Sequence, residues 1–120
     1  MKHVDLSGNL LRVDLAQGTT SIERLPEELM KKCLGGRGLG AKILFEELEP
    51  GIDPLSRENK LVFAVGPITC APFGGNSRFT VMGKSPLTGG WGEPSGGGFF
   101  GAGLMAQTSK RRLSECHASS

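Results

Sequence analysis

The first clear signal along the chain is an alternation. "LLRVDLAQGTTSIERL" switches between apolar and polar residues on both sides of "AQG", the period-two pattern of a half-buried antiparallel pair joined at a glycine turn. Strands are expected at about Asn9–Leu15 and Thr19–Leu25. "PEELMKKCLGG" then has Pro26 near a helix start, acids in the first turn, lysines later and a Gly-Gly stop, the order that helix ends and their dipole favour. A second helix is expected through "LGAKILFEELEP", where Leu39, Ile43, Leu44 and Leu48 recur at helical spacing and Pro50 closes the element. "GIDPLSREN" reads as a surface loop, and the continuous apolar run "KLVFAVG" as a buried central strand. "SRFTVMGKS" alternates again. Phe79, Val81 and Gly83 share one face and Arg78, Thr80, Met82 and Lys84 the other, and the pattern leaves open which face meets the core.

From "PLTGG" to "GAG" the periodicity dissolves into glycine, yet Leu87, Trp91, Phe99 and Phe100 are interleaved with it. Flexible linkers are rich in Gly and Ser without large aromatics. The stretch "WGEPSGGGFFG" therefore predicts an ordered loop, its backbone bare on one side and pinned on the other. Ordered glycine costs backbone entropy, so something is expected to approach that backbone closely.

Composition bounds the remaining choices. The 120 residues suit about one domain. The net charge of +2 resides in the tail, where Lys110, Arg111 and Arg112 outnumber Glu115, so no nucleic-acid footprint is expected. The opening "MKHVDLSGNLLRVDL" lacks an uninterrupted apolar stretch, and no run approaches the roughly 20 apolar residues of a membrane span. A soluble, cytoplasmic protein without membrane contact is the expectation. Cys33, Cys70 and Cys116 are widely spaced with no C-x-x-C, which argues for free thiols over a disulfide framework or a self-contained metal site.

Several motifs invite chemistry. "MGKSPLTGG" contains Gly-Lys-Ser, but a phosphate loop needs a glycine where Arg78 stands and a helix where Pro86 stands. "GGRGLGAK" has the look of a dinucleotide fingerprint, yet a helix rather than a strand precedes it. A helix-to-helix corner with left-handed glycines is favoured, with Arg37 available to an anion. Arg78 follows "GGNS" at the mouth of a strand and offers a planar fork to phosphate or to ring heteroatoms, although a solvated arginine suits the composition equally. His3 and His117 lie in terminal segments, and Glu93 is expected to be a solvated loop carboxylate rather than a proton-transfer group.

Taken in order, "LGGRGLGAK", "DPLSRENKLVFAVGPIT", "SRFTVMGKSPLTGG" and "SGGGFFG" resemble the N-terminal domain of the tungsten-containing aldehyde ferredoxin oxidoreductases, over residues 8 to about 102. The resemblance implies an α+β fold with strand-rich mixed or antiparallel sheets and short helices, cradling a bis-molybdopterin that carries tungsten (or molybdenum). It implies that Arg78 lies between the pterin and an iron-sulfur cluster, and that Gly96, Gly97 and Gly98 touch pterin, with Trp91, Phe99 and Phe100 locking the loop from behind. Ser95 stands where an asparagine is common whose backbone carbonyl binds a magnesium ion between the two pterins. A main-chain oxygen does not depend on the side chain, so the role carries over to Ser95. The implied chemistry is oxidation of an aldehyde to a carboxylic acid, with electrons passing through a 4Fe-4S cluster to ferredoxin.

The resemblance stops after "FFGA". On this basis residues 1–102 form the family-like domain, incomplete at its end, and residues 103–120 a divergent tail. The cysteines that would hold the cluster are expected elsewhere. Two arrangements follow: a truncated reading with its tail out of frame, or a non-catalytic scaffold subunit whose partner chain supplies the remaining domains.

Overall fold

The computed structural model describes residues 8–69 and 74–108, with side chains to residue 105. Strands β1 (Asn9–Asp14) and β2 (Thr19–Arg24) pair antiparallel, with Leu11 opposite Ile22 and Val13 opposite Thr20. Asp14 closes the turn by accepting hydrogen bonds from the N–H groups of Ala16 and Gln17. Helices α1 (Glu27–Cys33) and α2 (Gly36–Glu47) meet at a corner where Leu34, Gly35 and Gly36 all have positive φ, the left-handed link that the double glycine predicts. The second helix starts earlier than its apolar spacing indicates and takes in Gly36-Arg37-Gly38. A Cβ on Gly38 would stand 2.6 Å from the Cys33 carbonyl oxygen, so close packing of the two helices selects glycine there against its propensity.

The main sheet contains β3 (Val62–Val65), β4 (Phe79–Lys84), β5 (Trp91–Gly92) and β6 (Ser95–Gly96), all antiparallel. Together with the three helices this is the expected α+β class. The two short strands keep one register on β4: Lys84 opposes Trp91, Gly83 opposes Gly92, Thr80 opposes Ser95 and Phe79 opposes Gly96. The Val81 N–H bonds to the Pro94 carbonyl at 2.9 Å between them. Residues 91–96 are thus one edge strand, interrupted where Pro94 has no N–H to donate.

The face of β4 that was ambiguous in sequence resolves on the Met82 side. Met82 is fully buried and joins Leu44 and Ala64 in the core, with Leu48 and Val62 packed against them. Helix α2 lies on this face because Gly40 leaves room for the Met82 side chain, which a Cβ there would overlap. Strand β3, expected to be central and buried, is at the edge of the sheet among the described residues, and only Ala64 of its four residues is buried. Its apolar run has a different reason: one face meets α2, while Phe63 on the other meets the ring of Phe100 from α3 (Phe99–Thr108) at 5.9 Å between centroids.

The hairpin departs further from expectation. It docks by its polar face: Arg12 grips Glu47 of α2 through two hydrogen bonds of 3.0 and 2.5 Å, and Lys60 reaches the same carboxylate at 2.6 Å. Leu11, Val13 and Ile22, on the other face, are exposed, so the pair is not half-buried as its alternation suggests. These charges hold the Glu47 carboxyl down at about 2, chiefly through the Arg12 hydrogen bonds and then those of Lys60. Among the described residues no helix is long and apolar enough to cross a membrane.

Candidate functional site

The antiparallel register gathers the residues singled out in sequence. Ser95 and Gly96 sit across from Thr80 and Phe79, and Gly97 and Arg78 are the residues that directly flank the end of this ladder. Arg78 is exposed and has no ion-pair partner among the described residues. Gly98, with φ of 92°, turns the chain from the edge strand into α3. Arg78 and Ser95–Gly98 therefore share one end of the sheet, beside the amino-terminal end of α3.

The glycines here divide into two kinds. A Cβ on Gly96 would lie 2.9 Å from the Phe79 ring, and one on Gly101 would lie 2.7 Å from the Ser77 carbonyl oxygen. Those two are required by the chain's own packing, which presses α3 against the start of β4. Apart from their own chain neighbours, Gly97 and Gly98 have no atom of the described residues within 4 Å of where a Cβ would stand. Nothing inside the described structure accounts for the absence of a side chain at Gly97. Among the described residues nothing covers the bare main chain there.

Ser95 occupies a position of specific backbone geometry. Because Val81 and Pro94 face each other as a hydrogen-bonded pair, the alternation of an antiparallel ladder makes Thr80 and Ser95 a non-hydrogen-bonded pair. The carbonyl of Ser95 is then turned away from β4, to the outer side of the edge strand, where it is placed to accept a donor or a cation. Among the described residues no group of three His, Cys, Asp or Glu side chains is arranged to hold a metal.

The aromatic residues divide as well. Phe100 packs its ring on Phe79 at 4.7 Å and on Phe63, and so pins α3 to the sheet. Phe99 is 75% exposed. Trp91 is part-exposed, and its indole N–H donates to Glu93 Oε2 at 2.8 Å. Glu93, expected to be solvated, is largely covered: its other oxygen pairs with Arg37 Nε at 2.5 Å. The anion that Arg37 meets at the start of α2 is this carboxylate, a contact across 56 positions that no local pattern signals.

The Gly-Lys-Ser segment has a structural role. Lys84 Nζ donates to the Ile52 carbonyl at 2.6 Å, Asn59 Nδ2 donates to the Lys84 carbonyl at 3.1 Å, and Ser85 opens a turn closed by its 2.8 Å bond to Gly90. No helix follows the serine, so a nucleotide-phosphate cradle is not formed. A groove of about 630 Å³ between α2 and the β4–β5 turn is lined by Leu44, Phe45, Leu48 and Trp91. It lies at the Lys84 end of β4, about 20 Å along the strand from Arg78 at ordinary strand rise. Its two charged neighbours are already engaged, Lys42 by Glu46 and Lys84 by Ile52. It is therefore not the site assembled around Arg78. Cys33 is a free, partly buried thiol; His3, Cys70, Cys116, His117 and the tail from residue 109 lie outside the described residues.

Comparison with known proteins places the chain in a family. Residues 10–110 match the family described as aldehyde ferredoxin oxidoreductase, N-terminal domain. The chain is 52% identical over 99 residues to the tungsten-containing aldehyde ferredoxin oxidoreductase of Pyrococcus horikoshii, covering 81% of this chain and 16% of that protein. It is 38% identical over 87 residues to an aliphatic sulfonate oxidoreductase, WOR-like subunit, of Pyrococcus furiosus, covering 70% of this chain and 14% of the relative. Among solved structures, the active-site complex BamBC of benzoyl coenzyme A reductase, in complex with 1,5-dienoyl-CoA, superposes with a TM-score of 0.77 at 34% identity. That match covers 84% of this chain and 15% of the other. The chain thus spans about one sixth of the length of the first of these relatives.

Proposed function

The chain belongs to the aldehyde ferredoxin oxidoreductase family through its N-terminal domain, and from that premise we propose that Arg78 and Ser95–Gly98 cradle a tungsten-bearing bis-molybdopterin. The observation that carries the reading is the open space over Gly97 and Gly98 beside a guanidinium with no ion pair among the described residues. A planar anionic chelate needs main chain without Cβ atoms to lie against, and a positive group for its phosphates, and this end of the sheet offers both. When bound, tungsten and its dithiolene sulfurs supply the redox chemistry that converts an aldehyde and water to a carboxylic acid.

The roles of the chain's own residues follow from their placement. Gly97 and Gly98 present peptide N–H and C=O groups to the flat ring system. Arg78 hydrogen-bonds the pterin or its phosphate and balances charge near it. Gly96 is needed by Phe79 and contributes through its backbone alone. The outward carbonyl of Ser95 would offer an oxygen ligand to a magnesium ion, a hard cation that takes oxygen donors. In this reading the 4Fe-4S cluster, the aldehyde channel and the ferredoxin contact belong to polypeptide outside this chain, and molybdenum serves as the alternative metal. The work takes place in the cytoplasm. A second reading, a subunit that scaffolds a partner chain, is favoured by the relatives described as a subunit and as a complex.

The test is expression of the chain in a tungstopterin-producing host, followed by metal analysis and pterin fluorescence. Tungsten and pterin are expected to co-purify with the wild type and to fall about tenfold or more in Arg78→Ala and Gly97→Leu, with circular dichroism unchanged. Background metal and pterin in the wild type, or equal content in all three, would overturn the proposal.

A further inference from the structure

We propose that Glu93 is a positioning residue: its carboxylate latches the edge strand 91–96 to the first turn of α2 and so fixes where Ser95–Gly98 lie. The cradle role of Ser95–Gly98 rests on the function proposed above; the latch itself rests only on geometry.

The edge strand needs such a latch because its ladder is sparse. Pro94 gives no N–H, and alternation directs the main-chain groups of Glu93 and Ser95 away from β4. Only Gly92 and Gly96 remain as amide donors to β4 within 91–96, and glycine brings no side chain to pack. On the face toward α2, period two aligns Trp91, Glu93 and Ser95. Glu93 uses both oxygens there: Oε2 accepts the Trp91 indole N–H at 2.8 Å, and Oε1 meets Arg37 Nε at 2.5 Å. The Glu93 side chain is 21% exposed against 71% for Arg37, so the carboxylate is the covered hub and the guanidinium reaches in from solvent. One carboxylate thereby joins two segments, the start of α2 through Arg37 and the edge strand leading to Ser95, and within that strand it also holds the Trp91 indole. Sequence reading assigns Glu93 no part in the site; the structure makes it the side chain that ties the strand carrying the site to a helix anchored in the core through Leu44.

The experiment is amide hydrogen exchange on the full 120-residue chain, with emission from its single tryptophan, Trp91, as a second readout. In Glu93→Ala the amides of Gly92 and Gly96 are expected to exchange about 5- to 30-fold faster, the range for one to two kcal/mol. Amides of β3 should keep their rates, and Trp91 should become more accessible to an aqueous quencher. Glu93→Gln, which keeps an acceptor for the indole but loses the charge facing Arg37, should fall between the two. Arg37→Met should loosen the same two amides, and Arg37→Lys should recover part of the protection. Unchanged exchange at Gly96 in Glu93→Ala would overturn the proposal. So would equal acceleration across β3, or Arg37→Lys behaving like Arg37→Met. None of these measurements needs cofactor, so a wild type that carries no tungsten would defeat the function proposed above and leave the latch to be decided by exchange alone.

Discussion

Replacing Glu47 with glutamine removes the charge through which Arg12 fastens the β1–β2 hairpin to α2. Its carboxylate holds Arg12 and Lys60 at once, and its pKa is lowered from 4.5 to about 2, with the Arg12 hydrogen bonds as the leading cause. At about 1.4 kcal/mol per unit, that depression sets a ceiling of roughly 3.4 kcal/mol on the stabilisation. Arg12 and Lys60 are 41% and 43% exposed, so solvent screens the charges and about 1–2 kcal/mol is the expected share. A folded-state pKa depressed below the unfolded one gives stability that is complete above pH 4.5 and declines as pH falls toward 2. Hydrogen exchange of the hairpin amides reads this local opening directly. At pH 7, Glu47→Gln should speed their exchange about 5- to 30-fold relative to wild type, and near pH 2.5 most of that difference should vanish. A difference that persists undiminished at pH 2.5 would mean that side-chain shape, not charge, carries the docking, and would refute the reasoning.

Two further outcomes follow from the packing. Gly40→Ala places a Cβ on the fully buried Met82 and should cost about 1–3 kcal/mol, read as a lower denaturation midpoint, with Gly40→Ala/Met82→Ala less destabilised than the two single changes predict together. Because only Leu25, Ile43, Leu44, Ala64 and Met82 are buried among the described apolar residues, urea unfolding of the isolated chain should be broad with a low midpoint, and a steep transition of ordinary size would contradict this.

Local chemistry made the helices and the hairpin legible. Pro26, the acids Glu27 and Glu28 and the lysines that follow them mark α1 by their order alone, and the alternation around "AQG" marks an antiparallel pair that the structure keeps. What stays hidden is which side of an amphipathic element faces inward. Leu11, Val13 and Ile22 look like a core face, but Arg12 finds a paired carboxylate 35 positions away, and that pairing turns the hairpin over. The same limit applies to the candidate site. Arg78 and Ser95–Gly98 come together because 91–96 is a strand, whereas glycine and proline depress strand propensity there. One signal did exist: Trp91, Glu93 and Ser95 alternate with Gly92, Pro94 and Gly96, a period-two pattern with small or ring-closed residues on the face toward Phe79 and Gly83. The ion pair between Glu93 and Arg37 had no such trace, since each residue alone is an ordinary surface charge.

The distribution of uncovered apolar surface joins the fold to the proposed function. The hairpin turns Leu11, Val13 and Ile22 outward, and at the far side of the main sheet Phe63, Phe99 and Phe100 stay at least partly bare around the end that holds Arg78. A small domain gains nothing from such exposure, because each large apolar side chain left in water forgoes roughly 1.5–3 kcal/mol of burial. The chain nonetheless spends its few specific interactions on posture rather than on cover: Glu47 fastens the hairpin with its apolar face out, Glu93 fastens the edge strand, and Gly101 lets α3 sit against Ser77. Packing among the described residues explains Gly96 and Gly101 and leaves Gly97 without a reason. A shelf held in place by these contacts while its surface stays open among the described residues is what a large planar ligand requires, and it is for that reason, more than for any single residue, that the proposed cradle fits this end of the sheet.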